Sequence, residues 1–393
     1  MQSKSQSLDI VRGFAVAAVI TNHYGLVFGL FKFLGFPAFL RVALSYGWMG
    51  VDLFFGLSAY LLTGSLLAAK ARGEGANAIL PFFVRRAFRI LPLYTFVVAV
   101  AFAFKSFTQA RGVPAPSVDT MAPLPVYLTF VQNFWQSGFS NWRGHFLSPT
   151  WSLAVEQQFY LLLPALVLFT TKDSARRFGF PLLFMLPALR VLVFAAYNDM
   201  TVYTNLATRA DPFIWGVIIA RAAREERPRL ALLAGAAAAA ALAVVIAGAV
   251  LTHYGNDYGY VLNQLAIYSL TGAGAALALL FATRERAAKA TPASSGLAAI
   301  PRRVLQWCGE RCYGLYLLQM PVAELVFQYA RAGVASVHTG SDFILLCAAL
   351  VLTAAATEIL YVTIEAPLIR TGGALAAQLV RRGASIVPHR AGS

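Results

Sequence analysis

Long apolar runs separated by short clusters of charge set the pattern of this chain. Ten runs are long enough to cross a bilayer, at about 8–28, 46–68, 90–108, 150–170, 179–197, 206–222, 230–252, 260–282, 312–331 and 342–365. About 20 apolar residues in a helix span the hydrocarbon, so the pattern predicts an all-α polytopic membrane protein of about ten transmembrane helices. The basic clusters alternate with these runs. With the N-terminus inside, about three-quarters of the 32 lysines and arginines fall on the cytoplasmic side, among them Lys70, Arg72, Arg85, Arg86, Arg89, Arg176 and Arg177. Cytoplasmic loops carry such an excess, which places both termini in the cytoplasm. The longest outer segment, 106–149, is rich in proline and aromatic residues. Its Val126–Trp135 portion is too short to span and is expected to be interfacial or re-entrant, as a lid over a substrate would be. Residues 1–370 then form one integral membrane domain and 371–393 a basic cytoplasmic tail on the anionic inner leaflet.

Composition agrees with the pattern. Hydrophobic residues make up 59% of the 393 and charged residues 12%, against about 25% charged in a soluble domain. The formal net charge of +15 belongs to loops between apolar runs, which argues against a nucleic-acid partner and for a lipid bilayer. The three cysteines, Cys308, Cys312 and Cys347, form no disulfide framework or metal pattern. Lys4 followed by an apolar run resembles a signal peptide, but the run is too long and contains Arg12, so it is expected to be a retained first span.

Candidate chemistry begins in that first span. SLDIVRGFAVAAVITNHY, Ser7–Tyr24, carries Asp9, Arg12 and His23, and ionisable residues inside a span face a protein interior or a wet cavity. Arg12 and His23 are eleven positions apart, which leaves them about 20° from eclipsed and roughly 16 Å apart along a helix axis. Four later stretches hold polar residues that lipid would not tolerate. GVDLFFGLSAYLL places Asp52 near the outer end of the second span, and FFVRRAFRILPLY puts Arg85, Arg86 and Arg89 where the third enters from the cytoplasm. PTWSLAVEQQFYLLLP carries Ser152 and Glu156 in the fourth, and YGLYLLQMP carries Tyr316 and Gln319 in the ninth. His23, Asp52 and Glu156 would form an outer reaction end, and Arg12, Arg85, Arg86 and Arg89 an inner anion-binding end. The bland alternatives are positive-inside arginines, and carboxylates that pair with arginine within the bundle. Tyr94, Trp151 and Tyr160 read as packing or interfacial aromatics. His145 reads as a solvated loop histidine, and His253, His338 and His389 have no partner pattern.

These stretches resemble, in order, the motifs of the acyltransferase-3 family of membrane acyltransferases, which O-acetylate bacterial surface polysaccharides and related glycosides. The resemblance starts with the R-x10-H run and continues through the four stretches above, Arg209–Asp211 before Gly216, and Glu365–Pro367. It covers Ser7 to about Arg370. Gln319 stands where many members have histidine, and no C-terminal hydrolase-like domain follows, so the membrane part is expected to do the whole reaction. The resemblance implies transfer of an acyl group, most often acetyl, from acyl-coenzyme A to a hydroxyl of a carbohydrate, lipid-linked sugar or glycoside. Acyl-coenzyme A is then a donor substrate, with no permanently bound cofactor and no metal. Coenzyme A is a polyanion, and arginine binds phosphate through a bidentate fork, which suits Arg12, Arg85, Arg86 and Arg89. His23 would take the proton of the acceptor hydroxyl, oriented by Glu156 or Asp52. Ser58 and Ser152 are possible nucleophiles without a histidine next to them in sequence. The competing reading is a transporter or flippase of a lipid-linked or anionic substrate, with the buried charges as a proton relay.

Overall fold

The computed structural model describes residues 6–138, 146–171, 174–223, 268–276 and 300–386. The expected span 230–252 lies outside them, as do most of 260–282 and the residues His145, His253 and His389. Among the described residues the regular structure is helical, with no strand. The long helices are α1 (Gln6–Asn22), α2 (Gly50–Ala71), α3 (Ile79–Ala110), α4 (Thr150–Leu168), α5 (Ser174–Ala196), α6 (Asp211–Ala222), α7 (Ile300–Glu310), α8 (Cys312–Arg331), α9 (Gly340–Leu360) and α10 (Ala366–Ile386). Two π-helical turns interrupt the pattern, His23–Val27 directly after α1 and Tyr361–Glu365 between α9 and α10.

Six helical stretches of the described residues are long and apolar enough to cross a membrane: Gln6–Val27, Ala38–Ala71, Gly75–Ala110, Thr150–Leu168, Arg177–Ala196 and Gly340–Arg382. They coincide with the first five expected spans and the tenth. The expected span 206–222 contains α6, only 12 residues long, because Pro212 sits at the helix start and residues 206–209 form a turn. The expected span 312–331 is α8, whose 20 residues suffice in length, but it buries Gln319, Glu324 and Gln328. Its polar content therefore faces protein.

The third helix begins 11 residues earlier than its apolar run suggests, since α3 starts at Ile79 rather than 90. Pro81 falls in the first turn of α3, where a proline is tolerated, and Arg85, Arg86 and Arg89 line a cavity from the helix itself and not from a loop. Pro92 costs the hydrogen bond to the Phe88 carbonyl, which α3 tolerates. Helix α10 likewise continues unbroken from Ala366 to Ile386, so the basic tail is helical through that residue.

Helices α1, α2, α4 and α8 share one apolar core, built from Val16 and Val19, Val51 and Phe55, Trp151 and Phe159, and Leu315 and Tyr316. Helix α1 is held tightly against α7. A Cβ on Gly13 would lie 1.9 Å from the Leu305 carbonyl oxygen, and one on Gly309 would lie 1.7 Å from that of Asp9. Only glycine permits this approach, and it fixes the helix that carries Arg12 and His23. The segment after α3 folds back onto the bundle in short helices, Pro116–Asp119, Leu124–Leu128 and Gln132–Ser137. Buried Gln132 ties it down, donating to Tyr94 Oη at 3.1 Å and to the Thr150 carbonyl at 2.9 Å. Phe130 takes a left-handed turn (φ 55°) within the expected interfacial portion. That portion is thereby two short helices packed on protein.

Candidate active site

A cavity of about 1140 Å³ opens among α1, α2, α3, α4 and α8. Arg12, Arg72, Arg85, Arg86 and Arg89 line it, as do Ser58, Ser152, Glu156, Tyr160, Cys312 and Tyr316. The arginines reach one space because of helical spacing. Arg85, Arg86 and Arg89 occupy neighbouring and i+3 or i+4 positions of α3, so they share one side of that helix. Arg12 comes from α1, where it is anchored by Asp9 at 2.6 Å, one turn earlier. All four arginines expected from the sequence therefore meet in one cavity.

Glu156 belongs to that cavity too. Its Oε1 accepts hydrogen bonds from Ser58 Oγ and Tyr160 Oη. Tyr160 Oη also lies 3.3 Å from Ser58 Oγ, and the electrostatic neighbours of Arg86 are Tyr160, Arg89 and Glu156. A carboxylate, two hydroxyls and a guanidinium thus form one cluster in the cavity wall. At another point of the wall Ser152 Oγ meets Tyr316 Oη at 2.7 Å, and Tyr316 donates to the Pro149 carbonyl at 2.9 Å.

His23 is not among the lining residues of this cavity. It is the first residue of the π-helical turn at the end of α1, and π turns of this kind concentrate at functional sites. Its Nδ1 is buried with no hydrogen-bond partner, and the side chain of Gln319 is the polar group that acts on the ring. Gln319 Oε1 is also buried and unpartnered, and Tyr24 Oη lies 3.4 Å from the Gln319 carbonyl. A buried polar atom left unpaired costs about 1–3 kcal/mol.

Asp52 keeps different company. Its Oδ1 accepts from Arg209 Nη2 at 2.7 Å and its Oδ2 from Thr271 Oγ1 at 2.6 Å, with both ends of the ion pair at or below 1% exposure. The Arg209 guanidinium lies 4.5 Å from the ring of Tyr268, 4.8 Å from Tyr203, 5.3 Å from Trp48 and 5.7 Å from Trp151. Beside it a second buried pair, Arg190–Asp211, is completed by Ser269, whose Oγ donates to Asp211 Oδ1 at 2.8 Å. Asp52 is not a lining residue of the cavity, although its neighbour Val51 is.

The acyltransferase domain family matches residues 5–362. The chain belongs to that family. It is similar to the O-acetyltransferase OatA of Staphylococcus aureus strains NCTC 8325, COL and MRSA252, 27% identical over 384 residues in each case. The alignment covers 93% of this chain and 57% of each relative, so the chain spans little more than half the length of these proteins. No solved structure matches.

Family membership bears on the groups expected from the sequence, which the structure divides in a way the spacing does not foretell. Arg12, Arg85, Arg86 and Arg89 lie together, and Glu156 lines the same cavity, of which His23 and Asp52 are not lining residues. Tyr160 reads in the sequence as an aromatic, yet it lies four residues after Glu156, the spacing that puts two side chains on one helix face. Ser58 had no such local signal, being 98 residues from its partner. His338 contacts Ser336 at an exposed turn, away from the cavity.

Proposed function

We propose that this chain is a multi-pass cell-membrane O-acyltransferase. It moves an acyl group, typically acetyl, from acyl-coenzyme A to a hydroxyl of a carbohydrate, lipid-linked sugar or glycoside. One observation carries the proposal: in a chain of an acyltransferase family, five arginines and a carboxylate–hydroxyl cluster face one cavity of about 1140 Å³. Pockets for drug-sized ligands measure about 300–1,000 Å³, so a long donor has room. The arginines bind the donor's phosphates, and the thioester extends toward Glu156 and Ser152. His23 takes the proton from the acceptor hydroxyl and Asp52 serves through its ion pair as a positioning residue. Acyltransferase family membership favours this over translocation by a transporter.

In this proposal the chain crosses the membrane ten times with both termini in the cytoplasm, so the arginine end faces the cytoplasmic pool of acyl-coenzyme A. Val113, at 40% exposure in the turn after α3, reports the orientation. In a cysteine-free background Val113→Cys should react with an impermeant maleimide on intact cells. Reaction only after lysis would invert the topology.

The donor assignment has its own kinetic signature. Arg85→Ala removes a phosphate contact and should raise the donor KM with kcat largely unchanged, because binding is lost equally from ground and transition states. A fall in kcat at constant donor KM would take Arg85 out of the donor site.

A further inference from the structure

We propose that Ser58 is the acyl carrier of this enzyme, a nucleophile that takes the acyl group from acyl-coenzyme A with Glu156 as its base. The inference rests on the acyl-coenzyme A function above and supplies its first covalent step. Ser58 and Glu156 both line the arginine cavity, and the serine hydroxyl donates to the Glu156 carboxylate. A hydroxyl hydrogen-bonded to a base, with a third group orienting that base, is the arrangement of an activated nucleophile. Tyr160 is the third group, donating to the same carboxylate oxygen.

In the first half Ser58 Oγ attacks the thioester carbonyl carbon and its proton passes to Glu156. The tetrahedral intermediate collapses with cleavage of the C–S bond, leaving a Ser58 ester and the coenzyme A thiolate. In the second half an acceptor hydroxyl attacks that ester and gives its proton to His23. The C–O bond to Ser58 breaks, and Glu156 returns its proton to Ser58 Oγ. His23 releases its proton to water and the departed thiolate takes one up, so the sum is acyl-coenzyme A plus alcohol to ester plus coenzyme A.

Acceptor-independent exchange tests the carrier. Purified full-length protein is incubated with acetyl-coenzyme A and tritiated coenzyme A, with no acceptor present, and binding of acetyl-coenzyme A is measured in parallel. Exchange of label into acetyl-coenzyme A is expected in the wild type and in His23→Ala. It should fall to background in Ser58→Ala with acetyl-coenzyme A affinity kept, and persist in Ser58→Cys, whose thiol also accepts an acyl group. A serine that merely tied α2 to α4 would make the alanine and cysteine variants behave alike. Peptide mass spectrometry of the quenched wild type should find acetyl on Ser58. A wild type that binds acetyl-coenzyme A without exchange, exchange in Ser58→Ala at the wild-type rate, or acetyl on another residue overturns the inference and leaves the acyltransferase function standing. A wild type that does not bind acetyl-coenzyme A overturns that function, and the carrier falls with it.

Discussion

His23→Ala is expected to lower acyl transfer by ~10²–10⁴ while acetyl-coenzyme A still binds, because the loss of the proposed general base would act on the chemical step. In the proposed mechanism the donor's charged end is held by Arg12, Arg85, Arg86 and Arg89, which line a cavity that does not have His23 among its lining residues. The side chain itself is set by the π turn and by the nearby Gln319, with Nδ1 unpartnered inside the protein. Glutamine makes the informative companion. It nearly matches histidine in size and keeps hydrogen bonding, but an amide does not accept the proton. His23→Gln should therefore be as inactive as His23→Ala and as well folded as the wild type. Near wild-type turnover in a well-folded His23→Gln protein would remove His23 from the reaction and leave Glu156 as the acceptor's base. A packing histidine would instead show its loss in folded yield and thermal stability.

The second large effect falls on folding. Asp52→Ala leaves the Arg209 guanidinium buried at 0% exposure without its carboxylate, and Arg209→Ala does the reverse. Removing one partner of a buried pair costs about 3–5 kcal/mol, since the remaining charge stays uncompensated. Both single variants should lose folded yield and melting temperature in detergent. The double variant should lose less than the two singles added together, as expected for groups in direct contact. The aromatic rings around Arg209 offset part of the cost in Asp52→Ala, so that variant should be the milder of the two. A fully stable Asp52→Ala protein that transfers no acyl group would return Asp52 to the reaction itself.

What the sequence discloses and what it withholds divides along sequence distance. Apolar length located the spans at 8–28, 46–68, 150–170, 179–197 and 342–365, each matched by a candidate membrane-crossing stretch. The arginine group was legible because Arg85, Arg86 and Arg89 share one short segment and Arg12 stands alone in an apolar run. The start of α3 was not, because the same arginines resemble a cytoplasmic loop, whereas the helix runs through them from Ile79. Pairing across the bundle was also hidden. Asp52 and Arg209 are 157 residues apart and Ser58 and Glu156 are 98 apart, and no local periodicity encodes either. The π turn at His23 follows an ordinary α-helical sequence with no proline to mark it. The turn widens after His23, where the Phe28 N–H donates to the His23 carbonyl at 3.1 Å.

The most direct test of the account is a titration of acetyl-coenzyme A into the purified protein in the absence of any ion gradient, followed by release of free thiol. Saturable binding that weakens in Arg85→Ala and Arg86→Ala, with thiol released by the wild type, is the predicted result. No binding and no thiol release by folded protein would contradict it.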